Sequence, residues 1–267
     1  ATYAKRQVLF VAIGILVMIG ATFLDYRLYR DFANQAYLIV MLALVGVLFF
    51  GVERNGARAW YELPGLTFQI QPAEFAKVAV VIALAAFVAN KDGNLRLVTL
   101  GNAFLMLAVP LGLIYLQPDL GTMLVFVAIG MGVLLVAGAQ LKHIIVTSLI
   151  GIVVVIGMFN SDNLGGPALL RETQEQRLTA FLDPTFDLQG ASYNVNQSQI
   201  AIGAGGLRGQ GWLQGTQTNL NLVPEQETDF IFTALGEEFG LIGITVLLSL
   251  YAYMLARMWF ITRSSKD

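Results

Sequence analysis

Five places in this sequence carry side chains whose type and spacing suit chemistry. In the run Leu222-Val223-Pro224-Glu225-Gln226-Glu227-Thr228-Asp229-Phe230-Ile231-Phe232, Asp229 is the acid set deepest against a following apolar stretch. A carboxylate expected to be buried there suits a general base; the competing reading is a helix cap. In Gln117-Pro118-Asp119, Asp119 precedes Leu120-Gly121-Thr122. It either caps the next helix or offers a carboxylate to a cation or a proton. Glu74 and Lys77 stand three apart, which puts them on one helix face where they can pair, as a structural tie or as the polar floor of a substrate cavity. Trp60, in Gly56-Ala57-Arg58-Ala59-Trp60, has the type and flanks of an interfacial aromatic anchor. The glycine-rich run Gly203-Ala204-Gly205-Gly206-Leu207-Arg208-Gly209-Gln210-Gly211 has no Gly-Lys-Ser/Thr after it and no strand before it, so it is not a phosphate loop. Its glycines let the backbone turn or approach a ligand closely, and Arg208 is its candidate anion contact.

The elements that hold these residues follow from composition. The chain has 267 residues, 56% hydrophobic and 13% charged, against about 25% charged in an ordinary soluble domain. So little charge cannot cover a globular surface, which argues against a soluble enzyme, a disordered chain and a nucleic-acid-binding domain. The absence of cysteine excludes disulfides and thiolate chemistry, and a single histidine, His143, argues against a histidine metal cluster or a Ser-His-Asp triad. A bilayer core needs about 20 apolar helical residues. Seven stretches qualify: 8–24, 36–52, 73–89, 98–116, 120–138, 143–159 and 230–261. None alternates as a barrel strand does. The expected fold is all-α, a polytopic membrane bundle of about seven transmembrane helices forming one integral membrane domain over 1–267. Six further spans follow 8–24, so that stretch is not read as a cleaved signal peptide. The last stretch is too long for one span, and Glu237 and Glu238 place the start of the span proper near Phe239. Residues 53–71 are too short and polar to span and read as a loop at the outer interface. Residues 160–229 form a long loop, of a length that usually carries function.

Orientation rests on basic residues in short loops. One set holds Arg27, Arg30, Lys91, Arg96, Lys142, Arg257, Arg263 and Lys266; the other holds Lys5, Arg6, Arg54, Arg58 and Lys77, with Arg171, Arg177 and Arg208 in the long loop. The bias places the C-terminus in the cytoplasm and the long loop outside.

These motifs together resemble a family. The run from Asn196-Gln197-Ser198-Gln199 through Gly211, then Gly215-Thr216-Gln217, Leu222-Val223-Pro224-Glu225 and Thr228-Asp229-Phe230-Ile231-Phe232 are similar to the long outer loop of the SEDS proteins (shape, elongation, division and sporulation; the RodA/FtsW/SpoVE group), with the pattern closer to RodA. Gln117-Pro118-Asp119-Leu120-Gly121-Thr122, Gly56-Ala57-Arg58-Ala59-Trp60 and Gln71-Pro72-Ala73-Glu74-Phe75-Ala76-Lys77 resemble further signatures, and the chain corresponds to family spans two to eight. The resemblance implies a glycosyltransferase of the bacterial cytoplasmic membrane that polymerises lipid II into glycan strands on the extracytoplasmic face, beside a class B penicillin-binding protein. It implies Asp229 as the catalytic carboxylate, Trp60 as a functional outer-loop residue, Glu74 and Lys77 as an intramembrane ion pair, and Asp119 and Arg177 as loop residues near the substrate. Glu227 stands where the family usually has His, and Gln210 where Lys is frequent.

The chemistry so implied has two parts. Asp229 takes a proton from the acceptor hydroxyl, and Arg177, Arg208 or a Mg²⁺ or Mn²⁺ ion held by Asp119 neutralises the leaving pyrophosphate. The rival readings are a lipid-linked sugar flippase or other transporter, which would use Glu74 and Lys77 near mid-membrane, and a scaffold that only anchors a transpeptidase, which leaves Asp229 and Asp119 idle.

Overall fold

Segments apolar on every side become helices wherever lipid removes water as a hydrogen-bond partner, because a helix satisfies its own backbone. The computed structural model describes residues 2–54, 57–62, 69–89, 97–161, 174–176, 179, 192–224, 226 and 228–264. They fall into two units, Ala1–Arg171 and Glu172–Asp267.

The first unit holds α1 (Thr2–Phe23), the short α2 (Tyr26–Asp31), α3 (Ala33–Phe50), strands β1 (Val52–Arg54), β2 (Ala57–Glu62) and β3 (Gln69–Ile70), then α4 (Pro72–Ala89), α5 (Leu97–Leu116), α6 (Leu120–Val136) and α7 (Leu141–Phe159). Helix α4 is its centre and packs on α3, α5 and α6. Its buried positions Ala73, Ala76, Val80, Ala83 and Leu84 recur at helical spacing. Small residues there let neighbouring backbones close in, as membrane helices require. Leu44, Val80, Leu84, Leu107, Ile114, Phe126 and Leu134 fill the core. Helix α5 carries Pro110 in its interior, which removes the N–H that would reach the Met106 carbonyl. The Tyr37 hydroxyl of α3 donates to that carbonyl at 2.8 Å, so the break leaves no unsatisfied acceptor.

The second unit holds α8 (Tyr193–Gly205), the single turn α9 (Thr216–Asn219) and α10 (Ile231–Ser264), with α8 packed on α10.

Among the described residues six helices are long and apolar enough to cross a membrane. The expected seventh span is the apolar helix α6, which at 17 residues sits at the short end of the spanning range. On α1 and α7 no part of the apolar stretch is buried inside the protein. Continuous apolar surface of that extent belongs against lipid. The chain is a multi-pass membrane protein.

Two expectations are refined. Helix α10 breaks where its acids suggest, at Gly240, with φ 63° and ψ −162°. The stretch 53–71, expected as a loop, contains the antiparallel sheet β1-β2-β3, with Val52 opposite Trp60, Glu53 opposite Arg58 and Tyr61 opposite Ile70. The reason is a two-residue alternation over Ala57-Arg58-Ala59-Trp60-Tyr61-Glu62: Ala59 is fully buried, and the Tyr61 hydroxyl donates to the Ala43 carbonyl at 3.0 Å, tying the sheet to α3.

Candidate active site

In the first unit the Gln117-Pro118-Asp119 corner joins α5 to α6. Asp119 is the N-cap of α6: Oδ1 accepts from the Thr122 N–H at 3.1 Å, and Oδ2 accepts from the Thr122 hydroxyl at 2.7 Å and from Gln71 Nε2 at 3.2 Å. The capping role weighed from the sequence is therefore present, with a link to the residue just before α4 that the sequence did not suggest. Gln117 is fully buried, and its Nε2 donates to the Leu44 carbonyl at 3.4 Å. Among the described residues no group of three or more His, Asp or Glu side chains gathers to hold a metal ion. A carboxylate has about four lone-pair sites, so Asp119 retains one. That fits a single protein ligand to an ion otherwise held by phosphate and water, the usual arrangement for Mg²⁺. Asp119→Ala is expected to destabilise the protein by about 1 kcal/mol, the ordinary worth of an N-cap, and Asp119→Asn by less, since one acceptor oxygen survives. Thermal unfolding of the detergent-solubilised variants checks both.

Glu74 and Lys77 lie one turn apart at the start of α4, and Lys77 Nζ donates to Glu74 Oε1 at 2.8 Å. They pair as the spacing predicts, with the Glu74 side chain 56% exposed on the protein surface. The first helical turn after Pro72 places the acid at the end of the helix instead of at its middle. A half-exposed pair is worth at most about 1 kcal/mol, so Glu74→Gln is expected to change unfolding free energy by no more than that. A double-mutant cycle with Lys77→Met reads the coupling directly; a coupling of several kcal/mol would contradict this placement. Trp60 lies half-buried on β2, in a sheet and not in a loop.

In the second unit the glycine-rich run meets another backbone. Where α10 breaks, the Glu237 and Glu238 carbonyls lose their helical partners and accept from Gln210 N–H at 2.9 Å and Gly211 N–H at 3.0 Å. The Leu241 and Ile242 N–H groups donate to the Gly206 carbonyl at 2.9 Å and the Leu207 carbonyl at 3.2 Å. The loop thus satisfies the groups that any helix end orphans. At Gly209 a Cβ would strike the Glu238 carbonyl, and at Gly240 the Gly209 nitrogen; both residues also have positive φ. The close approach inferred for these glycines is real, but its object is α10.

Beneath this junction lies Glu237, fully buried. Its Oε1 accepts from the Gln217 N–H at 2.7 Å and the Thr216 hydroxyl at 3.2 Å, and its Oε2 from the Thr218 N–H at 2.9 Å and the Thr218 hydroxyl at 2.7 Å. Sequence reasoning used Glu237 only to mark where the span starts. The available signal was an acid several residues inside an apolar helix, a placement costly enough to require a partner.

Asp229 lies in the turn ahead of α10. The first helical bond there runs from the Thr233 N–H to the Phe230 carbonyl at 2.9 Å, so Asp229 precedes the apolar run instead of entering it. It is exposed, against the expected burial, and makes no hydrogen bond or ion pair among the described residues. It precedes the short helical segment Ile231–Phe239 that ends at the Gly240 break. Arg208 is exposed too, and it lines an open groove together with apolar residues that include Leu235, Phe239, Ile242 and Val246. Arg177 and Glu227 lie outside the described residues.

Comparison with known proteins gives this arrangement its context. The chain is 38% identical over 261 residues to the peptidoglycan glycosyltransferase MrdB of Escherichia coli (strain K12), covering 97% of this chain and 68% of that protein. It is 37% identical over 263 residues to the stage V sporulation protein E of Bacillus subtilis (strain 168), covering 96% and 68%. The fold is similar to that of the rod shape determining protein RodA of Thermus thermophilus, with TM-score 0.65 and 27% identity over 98% of this chain and 66% of that one. It is also similar to a chain of a peptidoglycan synthase complex in which polymerization and crosslinking are coordinated, with TM-score 0.74 and 29% identity over 96% of this chain and 69% of that one. The FtsW/RodA/SpoVE family model, described as a cell cycle protein, matches residues 1–267, and the chain belongs to that family.

Proposed function

We infer that the chain is a peptidoglycan glycosyltransferase that polymerises lipid II into glycan strands for cell-wall elongation and cell shape. The observation that carries this reading is Asp229, an exposed acid with no partner among the described residues, at the head of α10 in a family whose members include enzymes of that name. Lipid II joins its sugars to a polyprenyl pyrophosphate, already a good leaving group, so the chain needs a base and a counter-charge more than a strong acid. Asp229 accepts the proton of the acceptor 4-hydroxyl as its oxygen attacks the anomeric carbon of the donor. The bond from that carbon to the pyrophosphate breaks, and the polyprenyl pyrophosphate leaves with the electron pair. One displacement inverts the centre, turning an α-linked donor into a β-1,4 linkage.

Arg208 supports this reading, because an exposed arginine lining a largely apolar groove on α10 suits a phosphate joined to a lipid tail. Arg177 is proposed for the same charge. A Mg²⁺ or Mn²⁺ ion bound through Asp119 would supply further neutralisation of the pyrophosphate. The active face is proposed to be extracytoplasmic. The family resemblance supports a class B penicillin-binding protein as partner, to crosslink the strands. The test is polymerisation of lipid II by the purified protein, with and without excess EDTA. Glycan formation that ceases with EDTA and returns with Mg²⁺ supports enzyme and ion together. Full activity in EDTA removes the ion and leaves Arg177 and Arg208 to carry the charge. No glycan under any condition contradicts the enzymatic reading and favours the scaffold.

A further inference from the structure

We propose that Glu237 is the positioning residue for Asp229: its carboxylate clamps the turn at residues 215–218 onto α10 and so fixes the chain that carries the base. The proposal rests on the reading of Asp229 above and adds the group that holds it in place. Asp229 is exposed and makes no side-chain hydrogen bond or ion pair among the described residues, so the course of its backbone sets where its carboxylate stands. That backbone belongs to a closed loop. One end is α9, whose Gln217 and Thr218 N–H groups both point into the Glu237 carboxylate. The other end is α10, which carries Glu237 itself. Thr218 and Glu237 are 19 residues apart in sequence, and Asp229 lies between them, eight residues before Glu237.

The clamp is complete. A carboxylate has about four lone-pair sites, and Glu237 accepts four hydrogen bonds. Gln210 extends it: its N–H donates to the Glu237 carbonyl at 2.9 Å, and its Oε1 accepts from the Thr216 N–H at 3.0 Å. Gln226, three residues before Asp229 and nearly buried, donates from Nε2 to the Thr218 hydroxyl at 2.9 Å, pinning the middle of the loop to the same turn. A buried charge is a poor way to gain stability, since an apolar residue of similar volume serves as well or better. Its return here is geometry: four convergent donors hold one loop in one arrangement.

The test compares the parent, Glu237→Gln, Thr218→Val and Asp229→Asn in lipid II polymerisation, each at measured folded fraction. Glu237→Gln keeps size and shape but turns an NH₂ toward a backbone N–H, so one clamp contact becomes donor against donor. Thr218→Val removes one hydroxyl donor and the Gln226 anchor while leaving both backbone bonds. The expected result for Glu237→Gln is a kcat lower by about 10²-fold, the scale of a misplaced catalytic group, with KM for lipid II within twofold of the parent. Thr218→Val is expected to fall less, also in kcat alone. Faster amide exchange at residues 216–230, with α8 and the distal half of α10 still protected, accompanies both. A parent-like kcat in folded Glu237→Gln overturns the proposal, as does a loss in both variants that merely tracks the folded fraction. If Asp229→Asn retains polymerisation, the reading of Asp229 falls and the clamp's purpose with it. If Asp229→Asn is inactive while Glu237→Gln is not, the positioning role alone falls.

Discussion

Gly240→Ala is expected to destabilise the second unit by at least about 3 kcal/mol, combining a left-handed backbone forced on a residue with Cβ and an overpacked contact. The added methyl would meet the Gly209 nitrogen, the Leu207 carbonyl carbon and the Arg208 nitrogen, all backbone atoms that no side-chain rotation can clear. Relief would separate the loop at 206–211 from α10, and four backbone hydrogen bonds would lose their partners. In a helix bordered by lipid those groups have no water to replace them. Gly209→Ala is expected to behave the same way, since its φ is 79° and its Cβ would meet the Glu238 carbonyl and the Phe239 Cα. Thermal unfolding of either variant should show a large loss. A value within 0.5 kcal/mol of the parent, about the size of an ordinary surface substitution, would contradict the interlock.

Asp229→Asn is expected to lower polymerisation by at least about 10²-fold, the lower end of what a general base contributes. The amide keeps the size of the side chain and loses its basicity. Because the carboxylate makes no hydrogen bond among the described residues, the same change is expected to leave thermal stability unaltered to within about 0.5 kcal/mol. Loss of activity without loss of stability separates a chemical role from a structural one, and the contrast with Asp119 is direct. Asp119 caps α6, so its removal is expected to cost stability first.

The helices were legible because lipid imposes one rule on every span: about 20 apolar residues with no polar face. The start of the last span near Phe239 was legible too, since Glu237 and Glu238 interrupt an otherwise apolar run; the structure adds that the helix breaks at Gly240. The sheet was hidden because its strands have only 3, 6 and 2 residues, too few for alternation to stand out. The exposure of Asp229 was misjudged because adjacency to an apolar run does not tell which residue begins the helix. The clamp at Glu237 was invisible for a different reason. Its partners are backbone N–H groups and threonine hydroxyls about 20 residues upstream, and neutral donors leave no charge pattern to read. The glycine run was half legible: close approach was inferred, but not that its target was the protein's own broken helix.

The most direct measurement is gel separation of the products formed from lipid II by the purified protein and by its Asp229→Asn variant, at equal folded concentration. The account predicts a ladder of glycan strands from the parent and none from the variant over the same time. A ladder of equal intensity from both would contradict the assignment of the base, and its absence from both would contradict the enzyme.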